Sequence, residues 1–203
     1  MNAPPQRQIE TRPIHHVGYV VDDIPAAVSR WVTTFGAGPF FWLARKFSFP
    51  GARYYGEPAV LAHSVAVGKW DNNFVELIEV HEVSPAGLRD AYLGSATDSN
   101  HLNHICYVVE DPEAEVARLE AMGVPRFWRA SLGPLEVSYC DGRASLGHAV
   151  EIQKLQPQFV AFFAAVAAAA ENWDGSDSLR ELSSLGELPK DLDWHGINFD
   201  SRT

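Results

Sequence analysis

The chain has 203 residues, 46% of them hydrophobic and 21% charged, with a formal net charge of −10. That is the composition of an ordinary globular protein, long enough for one or two domains with a real core. The acidic balance argues against a nucleic-acid backbone or an anionic membrane as partner, since neither attracts a surface of its own sign.

From the start of the sequence, Met1 to Pro13 is polar with no apolar run, so no secretory leader is expected and residues 1–12 read as an arm. Ile14 to Val21 is β-branched and aromatic and reads as a strand. Asp22, Asp23 and Pro25 are helix-start signals, and Val28, Trp31, Val32 and Phe35 form an apolar stripe ended by Gly36 and Gly38. Strands are predicted over Phe40 to Arg45, Leu61 to Lys69 and Phe74 to Val80, with a turn at Asp71-Asn72-Asn73. Phe47 to Pro58, with Pro50, Gly51, Gly56 and Pro58, reads as an irregular loop.

Ser84 to Asn100 reads as a linker with one short helix around Gly87–Tyr92. The order then repeats: a strand over Leu102 to Val109, a helix opened by Asp111 and Pro112 with Val116, Leu119 and Met122 on its apolar side, and a stop at Gly123. Strands over Phe127 to Ser131, Glu136 to Cys140 and His148 to Lys154 follow, with a turn at Asp141-Gly142-Arg143. After Pro157, the spacing of Phe159, Phe162, Phe163 and Val166 predicts a helix whose stripe serves core or dimer packing. The apolar run Phe159 to Ala170 is twelve residues, short of the roughly 20 needed to span a bilayer. Residues 174–203 read as loop, with Trp194-His195-Gly196-Ile197-Asn198-Phe199 a candidate lid or interface. The expected architecture is α+β. Two tandem βαβββ modules, 13–83 and 102–155, form a curved mixed sheet around a metal cleft. Residues 84–101 link them, and a C-terminal helix and extended tail occupy 156–203.

The opening strand is used twice. His15-His16-Val17-Gly18-Tyr19-Val20-Val21-Asp22-Asp23 and Asn103-His104-Ile105-Cys106-Tyr107-Val108-Val109-Glu110-Asp111 share five identities at one offset of 88 (104 − 16). The closing strands match as well, Phe74-Val75-Glu76-Leu77 against Ala149-Val150-Glu151-Ile152. Strand alternation puts His16 with Gly18 and Val20, and leaves Val17, Tyr19 and Val21 to pack the following helix. The same parity groups His104 with Cys106, Glu76 with Ile78, and Glu151 with Gln153. Each half thus offers one imidazole and one carboxylate. Two nitrogens and two oxygens from a pseudo-symmetric pair of halves suit a borderline divalent ion, without separating Zn²⁺, Ni²⁺, Co²⁺, Mn²⁺ and Fe²⁺.

Other candidates receive plainer readings. Parity sends His15 to the opposite face, as a surface residue or one behind the ligands. His101 reads as a linker residue, His63 as a strand cap sooner than a cleft residue, and His148 as a strand-mouth residue. Glu79 has the wrong parity for the site. Cys106 and Cys140, in strands and without metal-knuckle spacing, read as reduced core thiols. Phe40-Phe41-Trp42 with Phe47, Phe49, Tyr54 and Tyr55 serves either an apolar pocket wall or the core.

Two β-α-β-β-β units, His-aliphatic-Gly in the first strand, His-Ile in the fifth and Val-Glu-aliphatic closing each half resemble the vicinal oxygen chelate superfamily over roughly residues 13–155. That group includes glyoxalase I, methylmalonyl-CoA epimerase, extradiol dioxygenases and bleomycin-resistance proteins. Phe35-Gly36-Ala37-Gly38-Pro39-Phe40 is similar to the epimerase-related branch. The resemblance places metal ligands at His16, Glu76, His104 and Glu151, the four residues that alternation selects. It implies Lewis-acid stabilisation of an enolate, with a carboxylate moving the proton on the adjacent carbon. Glu151 is the expected base and Glu76 its partner or a ligand. The chain departs from the epimerase pattern where a further glutamate stands near the second strand, since it offers Glu57 alone, inside the 47–58 loop.

The leading expectation is therefore a cytoplasmic, metal-dependent isomerase, epimerase or lyase acting on a small molecule with a carbonyl or vicinal oxygens, with no nucleic-acid or membrane partner, and forming a homodimer. An Fe(II) extradiol-type dioxygenase using His16, His104 and Glu151 is the alternative. A metal-free, non-catalytic binding protein is the third.

Overall fold

The computed structural model describes residues 11–94, 100–132 and 135–182. Its elements in chain order begin with β1 (His16–Val20), α1 (Ile24–Phe35), β2 (Phe40–Ser48), β3 (Arg53–Tyr54), β4 (Glu57–Pro58), β5 (Val60–Trp70) and β6 (Asn73–Ser84). After α2 (Ala86–Leu93), the second half runs β7 (His101–Val109), α3 (Pro112–Ala121), β8 (Arg126–Leu132), β9 (Leu135–Cys140), α4 (Arg143–Leu146) and β10 (Ala149–Lys154). Helix α5 (Pro157–Ala170) and strand β11 (Leu179–Glu181) follow.

One curved, unclosed sheet carries these strands in the order β11-β2-β5-β6-β1-β7-β10-β9-β8-β3-β4. The two copies of the repeated strand, β1 and β7, lie antiparallel at its centre. Each has its own half's closing strand beside it in parallel, β6 next to β1 and β10 next to β7. The repeat in the sequence therefore becomes an approximate twofold relation, with the histidine strands innermost.

The crossover helices obey their cap chemistry. Asp23 accepts from Ala26 N at 2.7 Å with Pro25 in the first turn, and Asp111 accepts from Ala114 N at 3.0 Å with Pro112 in the same role. Gly36 ends α1 with φ of 65°, a conformation without steric penalty only for glycine. Helix α1 buries Ile24, Ala27, Val28 and Trp31 against Val17, Tyr19, Val75 and Leu77, and α3 buries Val116 and Leu119 against Tyr107, Val150 and Ile152. Each buried Ile, Val or Leu among them is worth about 1.5–3 kcal/mol on leaving water. Both stripes stop short of their expected ends. Phe35 is 54% exposed in the last turn of α1, and Met122 is 64% exposed just beyond α3.

Three expectations need correction. The 47–58 stretch is not wholly irregular: β2 runs on to Ser48, and the β3–β4 hairpin pairs through β3 with β8 of the other half. The tail beyond 174 is not all loop, since Leu179–Glu181 pairs in parallel with Phe40–Trp42. The turn at 141–143 opens directly into the one-turn α4. These strands are two to three residues long, below the length at which alternation leaves a readable signal.

The opposite face of the sheet is covered by α2 and α5. Phe162, Phe163 and Val166 pack on Phe41, Ala44, Val65 and Val67. The α5 stripe thus packs the core within the chain, while Val160 on the helix's outer side is 52% exposed. Cys106 and Cys140 are buried free thiols, as expected. No described helix is long and apolar enough to cross a membrane. Residues 95–99 of the linker, most of the N-terminal arm and the 194–199 segment lie outside the described residues.

Candidate metal centre

Register builds the centre from two neighbouring rungs of the sheet. On one, Glu76 and His104 flank Gly18. On the next, His16 and Glu151 flank Cys106. Gly18 and Cys106 are equivalent positions of the repeat, so each half contributes a small residue between two candidate donors, one from each half. In every rung two long polar side chains stand two strands apart and lean together over the small residue between them.

The lean is close enough to bring His16 Nε2, His104 Nε2 and one oxygen each of Glu76 and Glu151 within 4.8 Å of one another. Glu151 Oε2 lies 2.8 Å from His16 Nε2 and 3.0 Å from His104 Nε2. Glu76 Oε2 lies 3.3 Å from His104 Nε2 and 3.9 Å from His16 Nε2. Despite those short contacts, His104 Nε2 is buried without an aligned hydrogen bond. Two imidazole nitrogens and two carboxylate oxygens gathered this closely could hold a cation between them. The N₂O₂ donor set fits a borderline divalent ion.

The far sides of both imidazoles are held. His104 Nδ1 donates to Asn103 Oδ1 at 3.0 Å, with Tyr139 Oη at 3.3 Å, and Asn103 in turn donates to Tyr92 O at 2.7 Å. His16 Nδ1 meets His15 Nδ1 at 3.0 Å. A proton on each of these Nδ1 atoms leaves Nε2 free to ligate, the usual arrangement behind a metal-binding histidine. Of the two readings of His15, the structure agrees with a residue behind His16, and the opposite-face placement is corrected. His15 precedes the first residue of β1, and its ring turns to the side of His16, packed on Phe74, Phe159 and Phe163.

Electrostatics follow from burial and pairing. Burial pushes the Glu151 carboxyl up, but His104 and then His16 outweigh it and hold it well below the usual carboxylate range. For His104, burial works against protonation, yet the close carboxylates of Glu151 and Glu76 raise it to about 9. Burial, reinforced by His16, drops His15 to about 3, so it stays neutral and able to accept.

The centre opens into a cavity of about 150 Å³ between the sheet and α5. His63 lines it, buried, contrary to the strand-cap reading. Phe47 and Phe49 of the aromatic stretch are wall residues, while Phe40 and Phe41 belong to the core and Tyr55 is exposed. His148 bonds Ala149 O and lies off the cavity wall. Glu79 accepts from Ile24 N at the start of α1, on the face parity assigns it. Glu57 is exposed on β4, away from the cavity. Sequence reading missed Gln153 and Trp128, both on the cavity wall. Gln153 shares the parity of Glu151, which was the available signal, whereas Trp128 carried none beyond its size.

Residues 15–133 match the family model described as the Glyoxalase/Bleomycin resistance protein/Dioxygenase superfamily. No curated protein matches the chain. Among solved structures, the chain is similar to a hypothetical protein from Bacillus halodurans C-125, at 16% identity and TM-score 0.49 over 73% of this chain and 98% of that one. It is also similar to methylmalonyl-CoA epimerase from Mycobacterium tuberculosis, at 14% identity and TM-score 0.46 over 73% and 91%. A methylmalonyl-CoA epimerase in complex with methylmalonyl-CoA and NH4+ is 19% identical, with TM-score 0.42 over 73% and 97%. With more than half its length matched by the family model and two imidazoles and two carboxylates gathered at its centre, the chain belongs to the glyoxalase/bleomycin resistance/dioxygenase superfamily.

Proposed function

We propose that this protein is a divalent-metal-dependent isomerase, epimerase or lyase that moves a proton on the carbon next to a carbonyl, with His16, Glu76, His104 and Glu151 holding the ion. The observation that carries this reading is the convergence of four donor atoms within 4.8 Å at the mouth of an apolar cavity. A bound divalent ion supplies Lewis acidity toward the substrate's carbonyl oxygen and lowers the cost of removing the neighbouring proton. The carboxylates do the proton work. Glu151 was the base expected from resemblance, but its side chain is 3% exposed, flanked by both imidazoles and bonded by Gln153 Nε2 at 2.9 Å. Glu76, at 14%, has the greater freedom to reach a substrate carbon, so Glu76 is the better proton carrier and Glu151 the firmer ligand.

Metal analysis of the purified protein and its variants tests this. His16→Ala and Glu151→Gln should lose the ion, whereas Glu76→Gln should keep most of it and stop solvent-deuterium exchange at the carbon next to the carbonyl. Unchanged metal content in both His16→Ala and Glu151→Gln would sink the proposal. The dioxygenase alternative needs a ligand position free of Glu76, whose oxygen stands 3.3 Å from His104 Nε2, and oxygen uptake with a catechol is its direct test. A homodimer would need a surface other than the α5 stripe, and sedimentation measures it.

A further inference from the structure

The two halves carry their glutamates on equivalent strands but give them different neighbours. Ile78 and Gln153 each stand two residues beyond a glutamate, Glu76 and Glu151, and so on the same face of the closing strand. On its rung Ile78 lies between Val20 and Val65, and Gln153 lies between Val108 and Val137. Val20 and Val108 are themselves equivalent positions of the repeat. The two rungs therefore match, with valine on both sides, except that one holds an aliphatic group where the other holds an amide. Both are buried, Ile78 at 1% exposed and Gln153 at 9%. Burying an amide is costly unless it finds a hydrogen bond, and valine side chains supply none.

The amide finds its partner in the glutamate. Gln153 Nε2 donates to Glu151 Oε1 at 2.9 Å. An ionised carboxyl only accepts, so the amide nitrogen is the atom turned toward it. The other oxygen, Glu151 Oε2, is the one that lies 2.8 Å from His16 Nε2 and 3.0 Å from His104 Nε2. Glu151 thus has its two oxygens divided, one tied along its own strand and one presented to the centre. Ile78 can make no such bond. Glu76 Oε2 lies at 3.3 and 3.9 Å from the same two nitrogens, and its side chain is 14% exposed against 3% for Glu151.

We propose that Gln153 is a positioning residue: its amide holds Glu151 as a one-oxygen donor to the ion, and the aliphatic residue at the equivalent place leaves Glu76 the freer carboxylate. This rests on the metal reading of the same site. The tether removes side-chain conformations that an untied glutamate would sample before each binding event. An outer residue that fixes a ligand in this way is worth about 10–100-fold in metal affinity. One side chain behind one ligand therefore breaks the approximate twofold symmetry of the four donors and separates the roles of the two glutamates.

Cobalt(II) affinity of the full chain, measured against a competing chelator, tests this in Gln153→Met and Ile78→Met, two swaps that roughly keep side-chain volume. Gln153→Met should weaken cobalt binding about 10–100-fold, whereas Ile78→Met should stay near the wild-type value. In a Glu76→Gln background the Gln153→Met loss should persist in full, because the amide acts on the other carboxylate. Unchanged affinity in Gln153→Met would overturn the proposal. So would an equal loss in both methionine variants, since that marks a general loosening of the sheet. Should Gln153→Met not fold, Gln153→Asn, which keeps the amide but shortens its reach, takes its place with the same expected loss. Failure of the wild type to take up cobalt would instead strike the metal reading. Crystal structures of the metal-free wild type and Gln153→Met then decide the positioning role. The Glu151 carboxylate should hold its place between the imidazoles in the first and leave it in the second, and one position in both would overturn the proposal.

Discussion

The imidazole of His104 occupies the space above Gly18. A Cβ at residue 18 would lie 1.9 Å from His104 Cε1 and 2.4 Å from both ring nitrogens. The two residues pair across the central strands. Gly18→Ala should therefore displace His104 and lower metal affinity by at least the 10–100-fold typical of lost ligand orientation. Metal titration of a variant that still melts cooperatively checks this, and wild-type affinity would contradict it.

Behind the proposed ligands, His15→Phe keeps the packing against Phe74, Phe159 and Phe163 but removes the contact that His15 makes with His16. Asn103→Ala does the same to His104. Each should weaken metal binding about 10–100-fold, with a smaller effect on thermal stability for His15→Phe. Affinity measured with a competing chelator separates the two.

Metal loading should depend on pH. With His104 raised to about 9, the metal-free centre holds a proton near neutrality that an incoming ion displaces. Apparent affinity should then rise with pH up to about 9, by at most tenfold per unit. Calorimetry in buffers of different protonation enthalpy should register proton release at pH 7. For the metal-free protein the sign is opposite: this raised value stabilises the fold below 6.5 and its contribution is lost as pH rises through 9.

Away from the centre, Glu115 is held down to about 2, first by hydrogen bonding from Arg118, against burial, with Arg12 and Tyr107 adding to it. A depressed carboxyl contributes stability above its ordinary value of 4.5 and loses it as pH falls toward 2. Because Arg118 is 41% exposed, the contribution is about 1 kcal/mol. Urea unfolding of Glu115→Gln should show that loss at pH 7 and little difference from wild type at pH 2.

Phe163 stacks on His16, with rings 5.9 Å apart and 10° from parallel, and meets His15, Phe74, Phe159 and Phe162 as well. Phe163→Ala should destabilise the protein by about 3 kcal/mol through the cavity it leaves. It should also weaken metal binding, since the ring stacked on His16 is lost. Denaturation midpoint and metal content read the two effects separately.

The sequence by itself determined the parts that repeat. The 88-residue offset announced two halves, and period-two alternation was enough to put His16, Glu76, His104 and Glu151 on one kind of face and Tyr19 and Tyr107 beneath the helices. Alternation is a property of each strand alone, so it survives without knowledge of neighbours. What lies across the sheet depends on register, which no single strand carries. Only the tertiary structure put His104 over Gly18, turned His15 toward His16, closed α5 over its own sheet, and set His63, Trp128 and Gln153 around one cavity. The β3–β4 hairpin and β11 were likewise decided by pairing partners far away in the chain, because strands of two or three residues owe their existence to the edge they join.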